Sequence, residues 1–155
     1  MPPSTLVPAV LVSASAGDVA GAIRRAYRGI RYAVPPRLES WLWPLAVSAN
    51  ETAKWTQLFN NNVGNVVYAW NPKGPSYVNP HVPPPPWFAS FDSLDAGADA
   101  MLRTLDRLGG LAAADAGDLE AFQAALDTYQ GRHPGTGRPD LAALAASLQD
   151  TVPNA

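Results

Sequence analysis

Positions 50–66, NETAKWTQLFNNNVGNV, contain a single acidic residue, Glu51. Cleavage of a glycosidic bond requires a carboxylic acid at the edge of a cleft, where it can protonate the oxygen that bridges two sugars. Glu51 lies near the end of a predicted apolar helix, close to Trp43, Trp55 and Leu58. Apolar neighbours disfavour the ionised form of a carboxyl group, as a general acid requires. We therefore take Glu51 as the candidate catalytic acid; the alternative is an ordinary exposed residue at a helix end.

Amide and aromatic side chains in and after this segment could supply the groups that bind sugars. Asparagine amides donate to and accept from hydroxyl groups, and aromatic rings stack on sugar faces. A structural role is the alternative, because an asparagine run is typical of a turn and aromatic residues in a small sheet are typical of a core. The candidate substrate-binding residues are Trp55, Asn60, Asn61, Asn62, Tyr68, Trp70, Tyr77 and Trp87.

Apolar periodicity and capping residues predict five helices. The first begins with Asp18 as its N-cap. The second, at 37–55, is apolar on most faces and is expected to be the buried central helix, bent or divided at Pro44. The other three are expected from Asp92 or Ser93 to Gly109 and Gly110, from Asp118 to Gly131, and from about Pro139 to Pro153.

Residues 62–91 differ in character from the helical segments. Short β-prone runs alternate there with turns that contain proline and glycine, which predicts a small β-hairpin lobe inserted after the central helix. Residues 1–16 are expected to form an extended arm, disordered alone or ordered against a neighbouring subunit. The sequence thus predicts a mostly α (α+β) fold, with the arm followed by a single domain at 17–152.

Charge and composition restrict the classes of function. The 155 residues carry a formal charge of −2 and include two lysines, so a broad nucleic-acid surface is not expected. One local cluster, Arg24, Arg25, Arg28 and Arg31, is either a solvated helix face or a docking surface for an acidic partner. The absence of cysteine excludes disulfides and thiol chemistry.

Neither a cofactor nor membrane insertion is expected from the sequence. The two histidines, His81 and His133, lie far apart and are not accompanied by clustered acids, so no metal site is expected. No apolar run is long enough to span a bilayer. No basic residue precedes Arg24, so a classical signal peptide is not expected.

An ordered series of motifs resembles the lysozyme-like glucosaminidases of bacterial cell walls, of the autolysin and flagellar-muramidase type. In that family a helix ends in a Glu-Thr pair with alanine before it and tryptophan after it, and a loop like Asn-Asn-x-x-Gly then opens a β lobe. SANETAKW and FNNNVGNV stand in those places, followed in the family's order by FASFDSLDAGADAML, GDLEAFQAALDTY and RPDLAALAASL. The resemblance covers about residues 18–150. It implies a lysozyme-like fold, with Glu51 as proton donor and peptidoglycan glycan strands as the substrate.

The chain departs from this family at the second carboxylate. No aspartate or glutamate lies between Glu51 and Asp92, where the family's β lobe would supply it, and Glu39 is about 18 Å away along the predicted helix. Three outcomes follow. One acid suffices, as in lytic transglycosylases, where a hydroxyl of the sugar itself attacks; or the acetamido group of the substrate is the nucleophile; or the fold serves a structural or assembly role.

The settings implied by the resemblance are a phage tail or a secretion machine, whose protein subunits would then be partners. The protein would reach a virion, the periplasm or the cell wall by non-classical delivery, and would otherwise be cytoplasmic.

Overall fold

The computed structural model describes residues 2–131 and 137–152. Six α-helices contain about half of these residues. The predicted Pro153 boundary and His133 lie outside the described residues. The fold is mostly helical with one small antiparallel sheet, as the sequence predicts. The helices are α1, Ala16–Ile30; α2, Leu38–Glu51; α3, Leu94–Arg107; α4, Gly110–Ala116; α5, Leu119–Gln130; and α6, Leu141–Thr151.

Side-chain caps explain where most of the helices begin. Ser93 and Asp118 accept hydrogen bonds from backbone N–H groups in the first turns of α3 and α5, as predicted. The N-cap prediction for α1 is wrong by three residues, because Ser15 caps the helix. Asp18 lies inside the first turn, and its carboxylate accepts from the backbone N–H of Ser15 in a reciprocal capping box.

The central helix is α2, as its apolar composition predicts. Residues 40–49 are all buried, and α2 packs against α1, α4 and α6. Pro44 does not divide it, because the helix runs unbroken through that position. The predicted end at residue 55 is wrong: α2 ends at Glu51, and the chain then makes a tight left-handed turn.

The inserted β lobe is smaller than its sequence suggests. Two strands of two residues each, β1 (Ser76–Tyr77) and β2 (Phe88–Ala89), pair in antiparallel register. The β-prone run before them forms a short 3₁₀ helix, Tyr68–Trp70. Tyr77 and Phe88 of these strands form a satellite apolar cluster with Phe59.

The N-terminal arm is extended as predicted, but it is ordered against its own chain. Backbone hydrogen bonds join Val7 to Ser76 and Val12 to Leu58, at 2.8 Å each. Alternate residues face inward, so that Val7 and Ala9 pack on the satellite cluster. The arm therefore belongs to the fold, and neither disorder nor a neighbouring subunit is needed to account for its conformation.

Candidate functional site

A cavity of about 340 Å³ lies where the ends of α2 and α5 face the β insertion. The helices contribute one wall and the inserted segment contributes the other. Its size falls within the range of small-molecule sites in proteins. The residues that line it are Asn50, Glu51, Asn65, Val67, Val82, Pro86, Phe88, Tyr129 and Gln130.

Glu51 is the last residue of α2 and is partly buried at the wall of this cavity. Its Oε1 accepts a hydrogen bond from the side-chain amide of Gln130, the last residue of α5. Its backbone carbonyl accepts another from the side-chain amide of Asn65. Both the carboxylate and the backbone of Glu51 are therefore fixed by residues that also line the cavity.

The turn after α2 fixes the end of the helix at Glu51. Ala53, Lys54 and Trp55 have φ angles of 50°, 52° and 65°, which are left-handed values that side-chain-bearing residues rarely adopt. The turn is held by hydrogen bonds from Lys54 N to Ala49 O at 2.7 Å and from Trp55 N to Thr52 Oγ1 at 3.0 Å. The chain thus leaves the helix axis directly after α2, and Glu51 lies at the end of the helix, at the wall of the cavity.

Tyr129 closes the cavity on the α5 side. It is buried, and its hydroxyl donates to the carbonyl oxygen of Gly64 at 2.6 Å. Burial, together with the nearby charge of Glu51, raises the pKa of Tyr129 well above its usual value. Gly64 has no room for a side chain, since a Cβ there would lie 2.5 Å from both the Tyr129 hydroxyl and Met101. The Tyr129 side chain is thus neutral and is held in place beside the carboxylate of Glu51.

The asparagine run makes hydrogen bonds within the protein, and none of its three side chains lines the cavity. Asn60 accepts from Val10 N at 2.6 Å and donates to Pro8 O and to Ser90 Oγ at 3.0 Å each, which anchors the arm.

The side chains of Asn61 and Asn62 connect the asparagine run to residues at the end of the β insertion and just after it along the chain. Asn61 donates to Phe91 O at 2.9 Å. Asn62, fully buried, bridges Val66 and Ala89 by donating to both carbonyl oxygens. The structural alternative therefore accounts for the described contacts of all three residues.

None of the predicted sugar-stacking aromatics lines the cavity either. Trp55 lies in the main core, where its Nε1 donates to Ser48 Oγ at 2.9 Å. Tyr77 lies in the satellite cluster with its ring centroid 6.0 Å from that of Phe88. Tyr68, Trp70 and Trp87 are partly exposed. Trp70 lines a different cavity, beside α3, and its Nε1 donates to Tyr129 O at 3.4 Å.

Sequence reasoning missed the residues that do surround Glu51. Asn65, Tyr129 and Gln130 come together only because the end of α5 packs against the loop after α2. One signal was present: Gly131 predicts the end of α5 and so places Tyr129 and Gln130 at a helix terminus. The buried Oδ1 of Asn65 has no hydrogen-bond partner within the described ranges.

This arrangement provides one carboxylic acid in a cavity whose walls are both apolar and polar. Among the described residues that line the cavity, Glu51 is the single acid. Within residues 2–131 and 137–152 no group of three or more His, Asp or Glu side chains is arranged to hold a metal ion. In the same part of the chain, every helix is too short or too polar to cross a bilayer.

Comparison with models of known protein families, with curated protein sequences and with solved structures finds no match to this chain. A functional conclusion therefore depends on the geometry around Glu51 and on the motif resemblance.

Proposed function

We propose that this protein cleaves the glycan strands of peptidoglycan on a lysozyme-like fold, as a glycosidase or lytic transglycosylase, with Glu51 as the general acid. One observation carries the proposal: Glu51 ends the central helix at the wall of a cavity whose opposite wall comes from the β insertion. A proton donor for a glycosidic oxygen needs this kind of position, at the lip of a cleft that a polymer can enter from the side.

The first step is protonation of the leaving oxygen by Glu51. Gln130 donates to Oε1 and so orients the carboxyl group, and the proton to be transferred would be carried on Oε2. Tyr129 stays protonated and neutral beside it, because burial disfavours a phenolate. General acid catalysis of this kind typically contributes a factor of about 10²–10⁴ in rate.

The second step must use a nucleophile from the substrate. With Glu51 the single acid among the described lining residues, an enzymic carboxylate is not in place to activate water or to form a glycosyl ester. A hydroxyl group of the sugar itself, or its acetamido oxygen, supplies the attacking electron pair instead. The first route leaves an anhydro-sugar end, and the second leaves a reducing end after water opens the intermediate.

The test compares the purified protein with Glu51→Gln on isolated peptidoglycan. The isosteric amide keeps the shape of the side chain but carries no transferable proton, so release of soluble fragments falls by about a hundredfold or more. Glu39→Gln is the matched control, because Glu39 lies on the same helix and makes an ion pair with Arg37 at 3.4 Å. Chromatography of the fragments then separates anhydro ends from reducing ends.

Equal fragment release by the protein and Glu51→Gln, or no release by either, contradicts the proposal. Thermal unfolding of both variants shows whether a loss of release comes from a loss of fold.

A non-catalytic assembly role is the second candidate, and a specific observation favours it. The asparagines and Trp55, which side-chain chemistry makes candidates for substrate binding, make contacts within the protein. The arm also presents Leu6, Val10 and Leu11 at its surface, with more than half of each exposed. A subunit of a phage tail or a secretion apparatus would present such a surface to its neighbours.

A further inference from the structure

A second cavity, of about 350 Å³, lies between α1 and the start of α2. We call it the arginine pocket, and it is lined by Arg24, Arg28 and Arg37 together with Tyr27, Pro36, Leu38 and Trp41. It is at the opposite end of α2 from Glu51, about 20 Å away at the usual helical rise.

The charged residues that line the arginine pocket are all positive. Three guanidinium groups line it, and no carboxylate is found among the described lining residues. Arg28 is exposed and makes no hydrogen bond or ion pair within the part of the chain that the structure describes. Arg37 is exposed and meets Glu39 at 3.4 Å, an exposed contact of the weak kind. The pocket therefore attracts an anion.

The floor of the arginine pocket is aromatic and rigid. Trp41 and Tyr27 are buried at 6% and 2% exposure, and the guanidinium carbon of Arg24 lies 5.7 Å from the Trp41 ring centroid. This cation–π contact fixes Arg24 over the ring. The Tyr27 hydroxyl donates to the carboxylate of Asp115 at 2.6 Å, so the ring is fixed as well.

The position of Arg37 is also set by the fold. A Cβ on Gly117, the residue that ends α4, would lie 3.0–3.1 Å from the Arg37 guanidinium, so this group lies across the glycine. The backbone N–H of Arg37 donates to Ser40 Oγ at 3.0 Å at the start of α2. Two independent elements, α1 and the turn before α2, therefore bring cationic groups to one cavity.

The geometry points to a binding site for a small soluble ligand that joins a phosphate group to an apolar body. Guanidinium groups form paired hydrogen bonds with phosphate oxygens, and a doubly charged anion fits the two exposed guanidinium groups of Arg28 and Arg37 better than a single carboxylate does. Leu38 and Pro36, which are both exposed at the pocket, supply the apolar contacts for the body. This inference is independent of Glu51 and of the proposed cleavage reaction.

The test is calorimetric titration of the full chain with naphthyl phosphate, inorganic phosphate and naphthol at low salt. Naphthyl phosphate binds most tightly, because it alone carries both the anion and the apolar body. Arg28→Ala and Arg37→Ala each weaken its binding by about tenfold, the value of a charge-assisted hydrogen bond. Added salt weakens binding further.

Arg25→Ala is the matched control, because Arg25 lies next to Arg24 on α1 but makes its ion pair with Asp95, outside the arginine pocket. It binds naphthyl phosphate as the unaltered protein does. Arg28→Ala decides the result if Arg37→Ala disturbs the fold, because Arg28 is solvent-exposed and uncommitted.

Three results overturn the inference. They are the absence of binding to naphthyl phosphate, equal affinity in Arg28→Ala, and binding of naphthol as tight as that of naphthyl phosphate. Binding to phosphatidic acid vesicles without binding to naphthyl phosphate also overturns it, because the ligand would then be a membrane surface.

Discussion

Gln130 Nε2 donates a hydrogen bond to Oε1 of Glu51, joining the last residue of α5 to the last residue of α2. The two residues are 79 positions apart in the sequence. A glutamate side chain has several accessible rotamers, and a donor fixed to one of its oxygens selects among them. The carboxyl group of the candidate acid is therefore oriented by a residue of α5, and its backbone carbonyl is held by Asn65 of the β insertion.

We expect Gln130→Leu to lower the rate of peptidoglycan cleavage by about tenfold to a hundredfold, through loss of carboxyl orientation. Because Gln130 positions Glu51, the loss falls on kcat more than on KM. Steady-state kinetics with soluble glycan fragments measure this division. Gln149→Leu, an exposed glutamine on α6, is the control. An unchanged kcat in Gln130→Leu contradicts the positioning role.

We expect Asn60→Ala to destabilise the protein by about 3 kcal/mol. Three side-chain hydrogen bonds contribute about 1 kcal/mol each, and a left-handed backbone is less accessible to alanine than to asparagine. The φ angle of Asn60 is 52°. Urea unfolding measures the loss, and limited proteolysis should show earlier cleavage in the arm. Asn71→Ala, a partly exposed asparagine without this network, should change the free energy of unfolding little.

We expect Gly97→Ala to destabilise the protein by about 1–3 kcal/mol, the usual range for overpacking. A Cβ at Gly97 would lie 1.9 Å from the backbone oxygen of Asn61, so either α3 or the backbone at Asn61 must shift. Gly29→Ala is a matched control within a helix, since nothing lies within 4 Å of its Cβ position. That variant should be neutral or more stable by up to about 1 kcal/mol. Similar effects in both variants would contradict the close approach.

We expect stability to fall at alkaline pH because of three tyrosines. Burial raises the pKa of Tyr27, Tyr77 and Tyr129, with further contributions from the hydrogen bond to Asp115 at Tyr27 and from the charge of Glu51 at Tyr129. A raised tyrosine pKa means that the unfolded chain loses its proton first. The stabilisation is complete below about pH 10 and is lost as the pH rises above it, by up to about 1.4 kcal/mol per pH unit for each residue.

Tyr77→Phe tests one of these three contributions. The Tyr77 hydroxyl is buried and has no hydrogen-bond partner within the described ranges, so its removal should leave stability at neutral pH equal or slightly higher. The slope of the unfolding free energy above pH 10 should become shallower. Urea unfolding at a series of pH values measures both. An unchanged slope would mean that Tyr77 ionises alike in the folded and unfolded protein.

The helices could be predicted largely from the sequence, because their starts depend on local chemistry. Ser93 and Asp118 cap α3 and α5 through side chains within the first turn. The error at α1 has the same origin, since Ser15 and Asp18 form a reciprocal capping box and both are acceptable N-caps. The helix α4 is not predicted from the sequence, because it has seven residues and begins within the glycine pair at 109–110, which signals only a break.

The site was predicted less completely, because it depends on contacts between distant segments. Glu51 was identified from its position before the β insertion, but its neighbours Tyr129 and Gln130 come from another helix. The asparagine run stays a candidate for sugar binding, but its side-chain amides donate to the backbone of the arm and of the insertion, which no sequence pattern indicates. A sequence pattern shows which hydrogen bonds a side chain is able to make, but it does not show which group is the partner.

The turn at residues 53–55 reverses the chirality of the main chain for three consecutive positions, none of which is glycine. Genetically encoded residues other than glycine and asparagine fit this conformation poorly, whereas their mirror images fit it well. In a chain joined by chemical ligation, D-alanine at position 53 would therefore suit the backbone better than the natural residue does. The position of Glu51 at the end of α2 therefore depends on the left-handed backbone conformation of this turn, and not on a side chain that could contact a substrate.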